Sequence, residues 1–280
     1  MEHDINNKFQ CLSDSIPEPL NTVNFDPIWN SPFSEGTSFE WLVFLSLIIA
    51  AKKQGWEVNF PTIESHHENQ FFFSRNEIPR HHTAKAGHSS YNNLNIRDAF
   101  LSAFLPKAII HKNGRYISIF REGFPYHFIF SSFRYKDRPD IIIVEGKPSN
   151  NYPLINTNNT LGFKYEVQDK DCSGEIRIRA LGDKDAIPFT KKPHNDFVNF
   201  PIIGLIECSV NKTLEHAKAQ MNKYKKLFSK QSFPTYLITC NHLNNVDIPY
   251  SHINFNLSAP ELKNDLETAS HAMLETFNIK

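Results

Sequence analysis

Apolar positions in this chain gather in short dense runs separated by long polar stretches, and the clearest succession lies between Phe200 and Cys240. Residues 201–206 are apolar at consecutive positions, Glu207 follows, a long polar segment comes next, and residues 234–240 are again apolar. Runs that are apolar on both parities predict strands covered on both sides, and the segment between them is long enough for a crossover helix. The unit reads strand, helix, strand, with Glu207 where the first strand ends, and open α/β sheets leave a crevice at such carboxyl ends. Within the polar segment Leu214, Ala217, Met221, Tyr224 and Phe228 recur at spacings of three and four, which predicts a helix from Lys212 or Thr213 to about Ser229. Gln220 lies beside that inner stripe, and Lys218, Lys223, Lys225, Lys226 and Lys230 make the outer part basic.

Other runs predict the remaining elements. Residues 37–54 form a helix that opens on Thr37 and Ser38 and closes on Lys52 and Lys53 before Gly55; its apolar stretch, 41–51, is too short to span a bilayer and is read as buried. Residues 95–110 read as an amphipathic helix stopped near Pro106, with Ala99, Phe100, Ala103 and Phe104 on one face. Residues 115–121, 126–133 and 140–144 give three β signals, the first two separated by a turn at Gly123-Phe124-Pro125, so a meander feeds the strand headed by Pro139-Asp140. Residues 146–199 form a long insert with strands at 162–167 and 175–180. A short edge strand at 253–257 and a last helix over about 259–277 complete the pattern; Ser258 is its cap candidate, and Leu262, Leu266, Ala269, Met273 and Phe277 form a stripe for the sheet or a partner subunit. Residues 1–35, with four prolines and little periodicity, read as an extended arm, leaving 36–280 as a single domain.

Composition changes this picture little. Lys and Arg total 30 against 30 Asp and Glu, so the chain does not coat nucleic acid by bulk charge, although a local basic groove is compatible with neutrality. Arg177, Arg179, Lys184, Lys191, Lys192 and His194 concentrate positive charge in the insert, as a solvated strand face or as nucleic-acid contacts. Cys11, Cys172, Cys208 and Cys240 are scattered without a CxxC pair, and no targeting peptide is evident; reduced thiols in a cytoplasmic protein with no membrane partner follow. The His-rich tract at 66–88 lacks an HxxxH on a clear helix and lacks cysteine partners, which favours a polar loop over a zinc site.

The candidate chemistry lies in the acids. Asp140 heads one β-branched run and Glu207 closes another, and two carboxylates on neighbouring strands suit a hard divalent cation such as Mg²⁺, which takes one or two carboxylates plus water and phosphate oxygens. Glu40, near the start of the first helix, either complements the helix dipole or joins these acids.

Pro139-Asp140, then Glu207-Cys208-Ser209, then Gln220 and Tyr224 in Gln-Met-Asn-Lys-Tyr resemble the PD-(D/E)xK nuclease superfamily, including the QxxxY helix of its RecB-type members. Gly36 to Glu40 also has the GxxxE spacing of some resolvase-like members. The resemblance covers roughly residues 36–240. It implies a restriction-endonuclease-like α/β core, a central mixed four-stranded sheet flanked by helices, carrying a β-rich insert. It further implies metal-dependent hydrolysis of nucleic-acid phosphodiesters, DNA foremost, with Mg²⁺ or Mn²⁺ held by Asp140, Glu207, the Cys208 carbonyl and Glu40. Gln220, Tyr224, Lys223, Arg177 and Arg179 would then lie near nucleic acid. Ser209 stands where the third motif carries lysine, so that role passes to Lys212 or Lys218, or the site is inactive and the chain is a nucleic-acid-binding or assembly subunit. Restriction or phage defence, as a homodimer or with a partner defence subunit, is the setting such nucleases imply.

Overall fold

The computed structural model describes residues 35–60, 106–121, 139–148, 154–155, 160–167, 170–177, 202–210, 214–227, 232–240, 251–256 and 259–280. In chain order these form α1 (Glu35–Lys53), β1 (Glu57–Asn59), β2 (Ala108–Lys112), β3 (Arg115–Arg121), β4 (Ile141–Glu145), β5 (Lys147–Pro148), β6 (Leu154–Ile155), β7 (Thr160–Val167), β8 (Lys170–Arg177), β9 (Ile202–Val210), α2 (Leu214–Leu227), β10 (Thr235–Cys240), β11 (Ser251–Phe255) and α3 (Leu262–Thr276). The fold is α/β, built on a mixed seven-stranded sheet in the order β1-β2-β3-β4-β9-β10-β11. Neighbours from β1 to β9 are antiparallel, and β9, β10 and β11 run parallel. β9, α2 and β10 are the expected strand-helix-strand crossover.

Four strands were expected in this sheet and seven are present. Two of the additions lie at one edge, where β1 and β2 extend the antiparallel half, and β11 extends the parallel half. Helix periodicity over 95–110 ends too late: Ala108 onward belongs to β2, paired along its length with β3, while 95–105 lie outside the described residues. A five-residue strand bounded by a Pro-containing run is held by its partner's ladder rather than by its own pattern, and single-segment periodicity misses it. The meander also takes a shorter form than expected, since β3 pairs directly with β4; residues 126–133 lie outside the described residues. The insert forms a separate four-stranded sheet in which β7 pairs β5, β6 and β8.

α1 is apolar on every side and is accordingly central. Phe39 and all residues from Trp41 to Ala51 are buried, and the one polar side chain in that run, Ser46, satisfies itself by donating to the Leu42 carbonyl at 2.7 Å. The helix ends as its sequence predicts: Gly55 takes φ +84°, and Trp56 N–H returns to the Ala51 carbonyl at 3.1 Å. α1 packs on the sheet and on α3, whose Leu262, Leu266, Met273 and Phe277 are buried, so the last helix docks within the chain. α3 starts without a side-chain cap bond, with Glu261 at the N-cap in place of the expected Ser258, which lies outside the described residues. Close approach between α3's end and the sheet requires Gly204, because a Cβ there would overlap the ring of Phe277.

Strand alternation sorts side chains between two faces. Cys208, Ile206, Tyr236, Ile238, Cys240 and Phe255 join the main core with α1 and α3. Glu207, Ser209, Leu237 and Thr239 alternate with them and therefore lie on the opposite face, the side of α2. No helix among the described residues is long and apolar enough to cross a membrane.

Candidate active site

β4 and β9 bring the two principal acids together. Ile141 pairs with Ile206 in an antiparallel ladder, so one step outward sets Asp140 beside Glu207. Asp140 Oδ2 accepts the backbone N–H of Cys208 at 2.7 Å, which fixes the carboxylate against the neighbouring strand. Both acids are buried, Asp140 at 7% and Glu207 at 1% exposure, and burying carboxylates is costly unless hydrogen bonds compensate. β9 continues to Val210, so Glu207 stands inside the strand and not at its end as expected. The ladder to β10 runs through Val210↔Cys240 and carries the strand past the acid.

α2 supplies the compensation for Glu207. Gln220 and Tyr224 are four residues apart and therefore share one helix face. Tyr224 donates its hydroxyl to Glu207 Oε2 at 3.0 Å, and Gln220 Nε2 donates to the Tyr224 oxygen at 2.7 Å. Tyr224, only 2% exposed, is thus both core and a positioning group, two roles that its place on the apolar stripe left open.

Glu40 approaches from α1. Its Oε2 accepts Arg121 Nη2 at 2.5 Å, and the Arg121 guanidinium lies 4.4 Å from the Trp41 ring centre. Arg121 is 4% exposed and Glu40 12%, so this ion pair is largely withdrawn from water. Burial pushes the Cys208 thiol well up, and Asp140, Glu40 and Glu207 push it further while Arg121 opposes them.

The other expected residues distribute differently. Lys218 is half-buried on α2, and Lys223 is on the same helix. Arg177 closes β8 in the insert sheet. Lys212 and Arg179 lie outside the described residues, as does the 66–88 tract. Ser209 is 1% exposed two positions beyond Glu207, and its hydroxyl has no hydrogen-bond partner among the described residues.

Four further polar residues stand at or near this side of the fold without belonging to the spaced motif. Arg121 had a signal, since it shares parity with the core-facing Ile117 and Ile119, and a cation at such a position needs a buried partner. Thr239, His252 and Asn254 had little, because their strands are short and their cluster depends on parallel pairing. Thr239 donates to Asn254 Oδ1 at 2.9 Å and lies 2.8 Å from His252 Nε2.

Asp140 and Glu207 offer carboxylate oxygens from adjacent strands, and no group of three or more His, Cys, Asp or Glu placed to hold a metal ion of any kind occurs among the described residues. No family model, curated protein or solved structure matches the chain.

Proposed function

We propose that the chain is a Mg²⁺-dependent nuclease that hydrolyses phosphodiester bonds, with DNA as its substrate. The observation that carries this reading is the juxtaposition of two buried acids from distant parts of the sequence, with Asp140 held by the Cys208 N–H and Glu207 by Tyr224. Fixed buried carboxylates do little for stability, and they are what a hard cation and a phosphate require. Asp140, Glu207 and the Cys208 carbonyl would hold Mg²⁺ or Mn²⁺. When bound, the ion neutralises charge growing on the phosphoryl oxygens and makes water a better nucleophile.

The remaining steps belong to the chain. Cys208 N–H keeps Asp140 in place, and the Gln220-Tyr224 pair keeps Glu207 from rotating away. Lys212 or Lys218 holds the scissile phosphate in place of the lysine absent at Ser209. The basic side of α2 and the insert bearing Arg177 and Arg179 follow the nucleic-acid backbone.

A second reading has its own support. Ser209 occupies the third-motif position, and Glu40 is committed to Arg121. A nucleic-acid-binding or assembly subunit would have both features. Incubating plasmid, linear duplex, single-stranded DNA and RNA with Mg²⁺ or Mn²⁺, beside Asp140→Ala and Glu207→Ala, separates the readings. Metal-dependent cutting lost in both variants supports the nuclease; retained binding without cutting in the wild type selects the binding subunit.

A further inference from the structure

Ser209 is buried at a cost that packing does not repay. Its side chain is 1% exposed, and its hydroxyl has no hydrogen-bond partner among the described residues. Burying a hydroxyl without a partner is unfavourable, and alanine at the same place would remove the penalty, so such a group calls for a function. Ser270 Oγ and Trp56 Nε1 share the condition, but Ser270 stands on the buried stripe of α3 between Leu266 and Leu274, and Trp56 belongs to the main core. Ser209 differs from both in standing on the sheet face that carries Glu207, two positions along β9.

The neighbours that could satisfy the hydroxyl are directed elsewhere. Thr239, directly across from Ser209 on β10, donates to Asn254 Oδ1 at 2.9 Å and lies 2.8 Å from His252 Nε2, both on β11. On the other flank the β4 ladder stops at Ile141↔Ile206, three positions short of Ser209, so no strand among the described residues stands opposite it there. The two acids are fixed close by. Cys208, the residue between Glu207 and Ser209, gives its N–H to Asp140 Oδ2 at 2.7 Å, and Glu207 is held from α2 by the Tyr224 hydroxyl at 3.0 Å. Two held carboxylates and a hydroxyl without a partner are thus gathered on three consecutive residues of β9, just past the start of β4.

We infer that Ser209 is a positioning residue of the cation site, its hydroxyl accepting a hydrogen bond from a water carried by the divalent ion that Asp140 and Glu207 hold. This rests on the metal-dependent reading given above. Same-face neighbours on a strand stand about 7 Å apart. Magnesium lies about 2 Å from each of its oxygen ligands and keeps several waters, and a hydrogen bond adds about 3 Å, so carboxylate, ion, water and hydroxyl together span a similar distance. The chemistry of serine suits the place as well. A water on a cation is a strong donor, and the serine oxygen offers it lone pairs without adding a third negative charge beside the two acids. Partners of this outer kind orient the groups bound to a metal, and their loss weakens binding without removing a ligand.

The test is metal binding by the full chain, with calorimetric titration of Mg²⁺ and Mn²⁺ and thermal unfolding with and without each ion, for the wild type, Ser209→Ala and Ser209→Thr. Without metal, Ser209→Ala is expected to unfold at the wild-type temperature or above it, because the unsatisfied hydroxyl is gone. It should bind the ion about 10- to 100-fold more weakly, with a correspondingly smaller metal-induced rise in unfolding temperature. Ser209→Thr keeps the hydroxyl and should bind close to the wild type. Equal affinities in the wild type and Ser209→Ala overturn the inference and leave the metal site standing. Equal weakening in the Ala and Thr variants assigns the position to packing and overturns it as well, as does a metal-free Ser209→Ala that unfolds well below the wild type. A wild type that takes up neither ion overturns the inference together with the metal-dependent reading.

Discussion

The two faces of the seven-stranded sheet are made by the same strands and differ in how many buried polar groups they hold among apolar side chains. Toward α1 and α3, side chains are apolar and closely packed, with one buried ion pair, Glu40–Arg121, under Trp41. Toward α2, a buried set, Glu207-Tyr224-Gln220, and a partly buried one, Thr239-His252-Asn254, are each held by hydrogen bonds. Both faces bury apolar area and so drive folding, but the α2 face gives up part of that stability to polar groups held in fixed positions. Stability and chemistry should therefore respond to mutation on different sides.

The strongest probe of that division is Glu207→Gln. Gln retains an oxygen for the Tyr224 hydroxyl but loses the charge, so cleavage is expected to fall about 10²- to 10⁴-fold while the unfolding midpoint stays level or rises. A midpoint lowered as far as by a core truncation would show the acid to be structural. Next comes Arg121→Met on the other face, expected to cost about 3–5 kcal/mol in urea titrations because Glu40 is left buried without its cation. Adding Glu40→Leu should recover most of that loss; a double variant no more stable than the single would place the deficit in Arg121's stacking on Trp41.

Gly204→Val tests how tightly the apolar face is packed. The new side chain meets Phe277, which is 2% exposed and lies edge-on to Tyr236, so about 1–3 kcal/mol of stability should be lost by calorimetry. An unchanged melting temperature would mean that α3's end shifts freely. The smallest effect is expected at the Lys53–Glu267 pair joining α1 to α3. Its hydrogen bond to Lys53 holds the Glu267 carboxyl below 4.5, so its contribution is present above that pH and is lost as pH falls through the lowered folded value. The pair is partly exposed, so Lys53→Ala should cost under about 1 kcal/mol at neutral pH, less in high salt, and nothing once the acid is protonated. A cost independent of pH would point to lost packing of the lysine stem.

What was legible in the sequence follows a physical rule. α1, the β9-α2-β10 unit and α3 were readable because each is long or periodic enough to state its own burial pattern. Asp140, Glu207, Gln220 and Tyr224 were readable as a spaced motif, and the fold joins Asp140 to β9 and Tyr224 to Glu207. β11 was read as a short edge strand at 253–257 and lies at Ser251–Phe255, whereas β1 and β2 were not read because strands of three to five residues are stabilised by neighbours distant in sequence. The Glu40–Arg121 pair spans 81 positions, and the Thr239-His252-Asn254 group exists only because β11 lies parallel to β10. Local periodicity, set by each residue's own preference for water, determined the principal elements and the polar spacing on them. Tertiary structure alone decided which polar residues meet, because strand order and register are settled by the ladder between segments and not within any one of them.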